Sequence, residues 1–259
     1  MMRFCSLGSG STGNATLVEC RSGRTVTRVL VDCGLSLREL SRRLGALGLA
    51  PDAIDAVFIT HEHGDHVGCA ATLARRHGTA LWTSRGTWEA IGEPELPTAP
   101  NFAADGEEIA VGDLKLSPYA VPHDAREPLQ LCIGDGASRL GLLTDAGEST
   151  PRLVEALQHC DALLLECNHD RALLAGSRYP AFLKARIAGS HGHLSNDSAA
   201  EILGACLHPG LRHVLAAHLS RENNTPALAA EALAAVLGCA AGEVPVADPI
   251  TGSGWLSLR

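Results

Sequence analysis

An α/β fold is what this sequence predicts, on three observations. Short apolar runs of strand length alternate with longer runs of helical length along most of the chain. Acids and histidines stand at the ends of those apolar runs, at Asp32, His61, Asp145, Glu166 and His218. No repeat, low-complexity tract or linker interrupts the pattern, so one domain over residues 1–259 is the economical organisation.

Residues 2–33 read as strands around a glycine-rich turn, Gly8-Ser9-Gly10-Ser11-Thr12-Gly13-Asn14. It lacks the Gly-Lys-Ser/Thr of a phosphate loop. Its N–H groups either face an anion or close an ordinary turn. Val29-Leu30-Val31 places Asp32 at a strand end. Ser36-Leu37-Arg38-Glu39 is a capping box that opens a helix through Leu47, with Gly48 as its stop. Ala56-Val57-Phe58-Ile59 is the next strand. A helix is expected from Val67 to His77, then a strand at Ala80-Leu81-Trp82. From 100 to 143 the runs are short and alternating, as in residues 115–121 and 129–133, which favours antiparallel strands. Leu140-Gly141-Leu142-Leu143 delivers Thr144 and Asp145. Thr150-Pro151 starts a helix to His159, because proline fits the first helical position. Residues 162–165 form a buried strand ending at Glu166. A helix headed by Ser195 and Asn196 runs to 206, and a strand at 214–217 ends at His218. Thr225-Pro226 opens the last helix, and residues 254–258 alternate like an edge strand.

The composition, 46% hydrophobic and 19% charged over 259 residues, is that of a globular protein. With aromatics at 3%, the core must come from Ala, Leu, Val and Ile. The start, Met1-Met2-Arg3-Phe4-Cys5-Ser6, lacks a signal peptide's apolar region, and no run approaches a membrane span. Nine single cysteines with no C-x-x-C pair read as reduced thiols in a cytoplasm. A net charge of −8 argues against a protein that coats nucleic acid. Metal-binding carboxylates inflate that figure, and bound cations would offset part of it.

The chemistry gathers in Thr60-His61-Glu62-His63-Gly64-Asp65-His66. The i, i+2 spacing of His61 and His63 does not suit one helix face. An extended turn would send His61 and His63 to one metal, and Asp65 and His66 to a neighbouring one. Imidazole and carboxylate donors suit zinc, manganese or iron, and the lack of cysteine within the loop argues against a closed structural zinc. Cys69, just beyond, is either a ligand or a small buried residue that starts a helix.

This H-x-H-x-D-H pattern resembles that of the metallo-β-lactamase superfamily. The resemblance covers nearly the whole chain and implies a four-layer αβ/βα sandwich with metals along one edge. Carried over residue by residue, it implies two divalent metal ions, zinc first, with manganese or iron as alternatives. His61, His63 and His123 would hold one ion, Asp65, His66 and His218 the other, with Asp145 bridging. Asp32 would orient the loop from behind the ligands. Asp145 in place of a cysteine points to two-metal hydrolases, where a bridging hydroxide is the nucleophile.

Three segments narrow the resemblance: Glu166-Cys167-Asn168-His169-Asp170, His191-Gly192-His193-Leu194-Ser195-Asn196, and His218-Leu219-Ser220-Arg221. They are similar to the ribonuclease Z-like phosphodiesterase branch, and with the opening glycine-rich turn most resemble YycJ/WalJ-type bacterial proteins. That group implies 5′-to-3′ DNA exonuclease activity and a link to cell-wall regulation. The expected function is therefore a metal-dependent phosphodiesterase, a nuclease acting on DNA rather than RNA. Asp65, His193 and Glu166 would be its catalytic set. His193 would be the general acid, opening a helix whose positive end would lower its pKa, while Glu166 would counter that shift and hold the ring.

Arg171, Arg178, Lys184 and Arg186 occur with no acid between them, beside Tyr179 and Phe182. This stretch is either a solvated helical face or a phosphate-facing flank. On the second reading Arg178, Lys184 and Arg186 join Ser195, Asn196 and Ser220 as substrate contacts. Small-molecule phosphodiesterases and glyoxalase II-like thioester hydrolases share the metal motifs. Glu166 and His193 weigh against the latter, since a thiolate leaves without an acid. A regulatory binding protein without turnover is the alternative from another class, and it would not need a complete ligand set.

Overall fold

A computed structural model describes residues 1–258; Arg259, the last residue of the expected domain, lies outside the described residues. The chain opens with β1 (Met2–Gly8), β2 (Ala15–Ser22), β3 (Thr25–Val31), α1 (Leu37–Ala46), β4 (Ala56–Ile59), α2 (Gly64–Val67), α3 (Ala70–His77), β5 (Ala80–Thr83), α4 (Arg85–Ala90) and β6 (Asn101–Phe102). It continues with β7 (Ile109–Val111), β8 (Leu114–Ala120), β9 (Leu129–Gly134), β10 (Arg139–Leu143), α5 (Pro151–Leu157), β11 (Ala162–Glu166), α6 (Arg171–Gly176) and α7 (Ala181–Ile187). The last elements are α8 (Asn196–Cys206), β12 (His213–Ala217), α9 (Pro226–Leu237) and β13 (Leu256–Ser257).

The strands form two sheets, ordered β13-β1-β2-β3-β4-β5-β6 and β12-β11-β10-β9-β8-β7. Strands buried on both faces dictate the layering. Val29, Val31 and Phe58 of the first sheet meet Leu140, Leu142, Leu164 and Leu215 of the second in one core. The opposite faces, with Leu30, Val57 and Ile59, pack on Leu40 and Leu44 of α1 and Leu73 of α3. Leu163, Leu165 and Val214 pack on Leu153, Ile202 and Leu233, from α5, α8 and α9. Three cores between four layers make the αβ/βα sandwich that the resemblance implied.

Strand direction places the chemistry. β3, β4 and β5 run parallel, and so do β10, β11 and β12. Thr60, Asp145, Glu166 and His218 therefore lie at or just past carboxyl ends at one edge of the sandwich. Asp32, Asp145 and His218 have φ of 60, 54 and 55°, left-handed values that turn each chain off its strand. Such backbone costs about 1 kcal/mol or more per residue and gathers at functional sites.

Several elements differ from the sequence expectation. The helix expected over Val67–His77 is broken, because Gly68 (φ 34°) packs so close that a Cβ would overlap the Cys33 carbonyl. The helix expected to reach His159 ends at Leu157. α4 was not anticipated. It has six residues, too few to show a period, and is capped by Ser84, which accepts from the Thr87 N–H. The segment 171–187 folds as two short helices, α6 and α7.

Away from the edge, Glu19 is fully buried and accepts from Arg3, Arg21 and Arg28, each at 2.8 Å. The β1–β2 and β2–β3 registers set Arg3 and Arg28 opposite it. Burial alone would raise its pKa, but the three guanidinium groups hold the carboxyl below its ordinary 4.5. Glu19→Gln should cost roughly 3 kcal/mol, the low end for breaking a buried pair, since the arginines keep some solvent. A depressed folded pKa stabilises above the unfolded pKa and less as pH falls through the folded value. The urea-midpoint gap between wild type and variant should therefore be full at pH 7 and shrink below about pH 4.5. A gap unchanged at pH 3 would show that Glu19 charge is not what stabilises the sheet.

Candidate metal centre

Thr60 follows β4 and is fully buried. Its N–H and hydroxyl both donate to Asp32 Oδ1 at 2.9 Å. Asp32 Oδ2 accepts from His66 Nδ1 at 2.8 Å. The His123 Nδ1 donates to the Gly192 carbonyl at 3.0 Å. A carboxylate and a carbonyl can only accept, so both Nδ1 atoms carry a proton and each Nε2 is the atom whose lone pair a metal would take.

Those lone pairs converge in two groups. His61 Nε2 lies 3.1 Å from His63 Nδ1, which lies 3.3 Å from His123 Nε2. Asp65 Oδ2 lies 3.6 Å from His66 Nε2 and 3.8 Å from His218 Nε2. Asp145 stands between the groups. Its Oδ2 is 2.8 Å from His66 Nε2 and from His218 Nδ1, while Oδ1 is 3.9 Å from His123 Nε2. Asp145 Oδ2 and His218 Nδ1 are buried without a directional hydrogen bond. Nitrogen and oxygen donors crowded lone pair to lone pair, with no thiolate among them, fit divalent cations.

Protonation preferences divide: burial opposes charge on His66, but Asp145 and Asp32 raise its pKa well above the ordinary imidazole value, so a cation would have to displace its Nε2 proton. Burial lowers the pKa of His61 and of His123, leaving the neutral imidazole a metal needs. Burial opposes the charge of Asp145 too, yet the His218 and His66 rings hold it well below the usual carboxylate range. A carboxylate this deep persists ionised only against positive charge.

His193 and Glu166 come together. His193 Nδ1 is 2.8 Å from Glu166 Oε1 and 3.2 Å from Asp145 Oδ1. Glu166 is itself held, its Oε2 accepting from the Ala146 N–H at 2.9 Å. One part of the expectation for His193 is corrected: it does not open α8, whose cap is Ser195 two residues later. Its pKa is raised well above the ordinary imidazole value, because Glu166, the group expected to counter a downward shift, and Asp145 together outweigh burial.

His63, Asp65, Asp145, His193 and His218 line a cavity of about 260 Å³ bounded also by Ser11, Tyr179, Arg186 and Ser220. Arg186 donates to Asp124 at 2.6 Å on its wall. Other expected substrate contacts point elsewhere. Lys184 donates to the Ala175 carbonyl at the end of α6. Ser195 caps α8 and Asn196 pairs with Asn224, both buried. Arg178 is exposed and does not line the cavity. Cys69 is buried at the start of α3 and belongs to neither donor group.

Sequence reasoning missed Asn14 and Ser9. The Asn14 side-chain amide donates to Asp65 Oδ2 at 3.1 Å, and its Oδ1 accepts from Gly10 N–H at 2.8 Å. The Ser9 hydroxyl accepts from the His218 N–H at 2.7 Å. The glycine-rich turn thus grips the Asp65 side chain and the His218 backbone. Nothing local in Gly8–Asn14 signals this, since its targets lie 51 and 209 positions away.

A family model described as a beta-lactamase superfamily domain matches residues 27–218. The chain is 32% identical over 239 residues to the exodeoxyribonuclease YycJ of Bacillus anthracis, covering 91% of this chain and 89% of that protein. It is 28% identical over 238 residues to ribonuclease Z of Mycobacterium sp. (strain KMS), covering 86% and 78%. Among solved structures, the metallo-beta-lactamase fold protein YhfI from Bacillus subtilis aligns over 99% of this chain and 100% of that one. The TM-score is 0.75 at 18% identity, a likeness of fold alone.

Groups behind metal ligands typically set affinity by ten- to a hundredfold. Asp32→Asn, which tolerates the left-handed backbone but offers a single acceptor oxygen, should weaken zinc binding roughly tenfold or more. Asn14→Ala should do the same through Asp65. Competition against a chromophoric chelator measures both; unchanged affinity would mean that the two residues merely pack.

Proposed function

Because the chain belongs to the metallo-β-lactamase superfamily, as a metal-dependent hydrolase of the YycJ/WalJ type, we propose that it is a dinuclear phosphodiesterase that degrades DNA from an end as one hydrolase domain. His61, His63 and His123 would hold one cation and Asp65, His66 and His218 the other, with Asp145 shared. Bound divalent cations supply a nucleophile at neutral pH and positive charge for phosphoryl oxygens. The observation that carries the reading is the His193–Glu166 pair at 2.8 Å, set against Asp145 beside both donor groups.

An alkoxide is a poor leaving group and departs with a proton supplied by a positioned acid. Glu166 and Asp145 engage His193 Nδ1, which leaves Nε2 as the nitrogen that delivers this proton. The neighbouring carboxylates keep the ring protonated before the step. Asp65 acts as ligand and aligns the reacting centre. On the cavity wall, Arg186 meets a phosphate while Tyr179, Ser11 and Ser220 border the strand.

The relatives named exodeoxyribonucleases share more identity with this chain than those named ribonuclease Z, which favours DNA, with RNA the competing substrate. Nine cysteines outside any disulfide support a cytoplasmic setting. Among the described residues no helix is long and apolar enough to cross a membrane.

Elemental analysis should find two metal ions per wild-type chain and fewer in Asp145→Ala, with most activity gone. One ion in both would defeat the dinuclear assignment. His193→Ala should slow DNA hydrolysis by roughly a hundredfold or more, yet affect a bis-p-nitrophenyl diester far less, because nitrophenolate leaves unprotonated. Equal slowing on both, with metal content intact, removes His193 from the acid role. Arg186→Ala should raise KM for long DNA and flatten its salt dependence while sparing the small diester. End-labelled DNA and RNA assayed side by side decide the polymer.

A further inference from the structure

Cys33 and Cys69 take no part in the hydrolysis described above. Cys33 follows Asp32 at the end of β3, Cys69 caps α3, and their Sγ atoms lie 3.3 Å apart. Cys33 is fully buried, while Cys69 keeps 7% of its surface and is the less enclosed of the two. The backbone beneath the thiols is a seam of hydrogen bonds. Cys33 N–H donates to the His66 carbonyl at 2.7 Å, and Cys69 N–H to the Cys33 carbonyl at 3.0 Å. A Cβ on Gly34 would overlap the Asp65 carbonyl, and one on Gly68 the Cys33 carbonyl. The thiols therefore sit on the joint that carries Asp65 and His66, with no slack in the chain on either side.

We infer that Cys33 and Cys69 form a redox-active dithiol that a hydroperoxide closes to a disulfide, and that closure loosens the grip of Asp65 and His66 on their cation. The second half rests on the metal assignment under Proposed function; the first does not. Cys69, the less enclosed partner, attacks the peroxide oxygen. The O–O bond breaks, Cys69 becomes a sulfenic acid, and the other peroxide oxygen leaves as water or alcohol with the thiol proton. Cys33 sulfur then attacks Cys69 sulfur, the S–O bond breaks, and the hydroxyl leaves as water with the Cys33 proton. Two thiols lose two electrons in total and one hydroperoxide gains them. A covalent bond draws the sulfurs well inside their present separation. With Gly34 and Gly68 already in backbone contact, the seam itself must move, and the His66 carbonyl moves with it.

The test exposes zinc-loaded protein to hydrogen peroxide, following zinc release with a chromophoric chelator and modification by peptide mass mapping. A cross-linked peptide joining Cys33 to Cys69, two hydrogens lighter than its reduced parts, should appear before other cysteines react. Zinc should leave in step with it, roughly tenfold faster than from untreated protein. Dithiothreitol and fresh zinc should reverse both changes. Cys33→Ser should form no cross-link, leave a Cys69 sulfenic acid that dimedone traps, and keep its zinc at the same peroxide dose. Mapping on the native protein decides the dithiol even if that variant does not fold. Another thiol oxidising while this pair stays reduced overturns the inference. A cross-link formed without loss of zinc overturns its second half. Failure of the untreated protein to bind zinc at all would count against the metal assignment instead, and the cross-link map would still read the dithiol.

Discussion

Asp145 is a carboxylate buried at the edge of two sheets, with an oxygen that no hydrogen bond satisfies. Burying such a charge unpaired costs more than a fold of this size can spare, so the site must supply positive charge. His66 and His218 flank one oxygen at 2.8 Å, and His193 approaches the other at 3.2 Å. The arrangement outside this shell serves to hold those rings in place. Asp32 fixes the proton of His66, Gly192 that of His123, and Glu166 the orientation of His193. Three strand-end residues adopt left-handed backbone to aim their side chains inward. Bound cations would relieve that crowding of donors.

The donors come from both sheets, so the packing between the sheets sets their spacing. His61, His63, Asp65 and His66 follow β4 of the first sheet, and Asp145, Glu166 and His218 end parallel strands of the second. The aliphatic core between them, with Phe58, Leu131 and Leu164 fully or nearly fully buried, therefore decides whether two donor groups meet or miss. Close packing tolerates little change in that distance. The glycine-rich turn closes the assembly from the amino-terminal end, reaching both Asp65 and the backbone of His218.

Charge also shapes what the cavity can accept. The chain carries a net −8, and carboxylates concentrate at the centre, so a polyanion is repelled until cations offset them. Arg186 is the basic side chain on the cavity wall, and Asp124 holds it there. Such a surface does not favour tight coating of a polyanion.

Much of this was legible in the sequence. The α/β class and the strands ending at Asp32, Asp145, Glu166 and His218 were readable because burial on both faces writes continuous apolar runs. The loop His61–His66 was readable because ligand chemistry is compressed into adjacent positions. What tertiary structure decided was of another kind. The break at Gly68 and the left-handed backbone of Asp32, Asp145 and His218 follow from close approach between segments distant in sequence. Asn14 and Ser9 act across 51 and 209 positions, where a residue's own neighbourhood carries no trace of its partner. The share of Asp145 in the His193 shift was also beyond the sequence. A helix end is a local feature that can be read, but two carboxylates brought beside one ring by three separate strands and loops are not. Local pattern determined which residues could do chemistry; the packing of two sheets determined which of them touch.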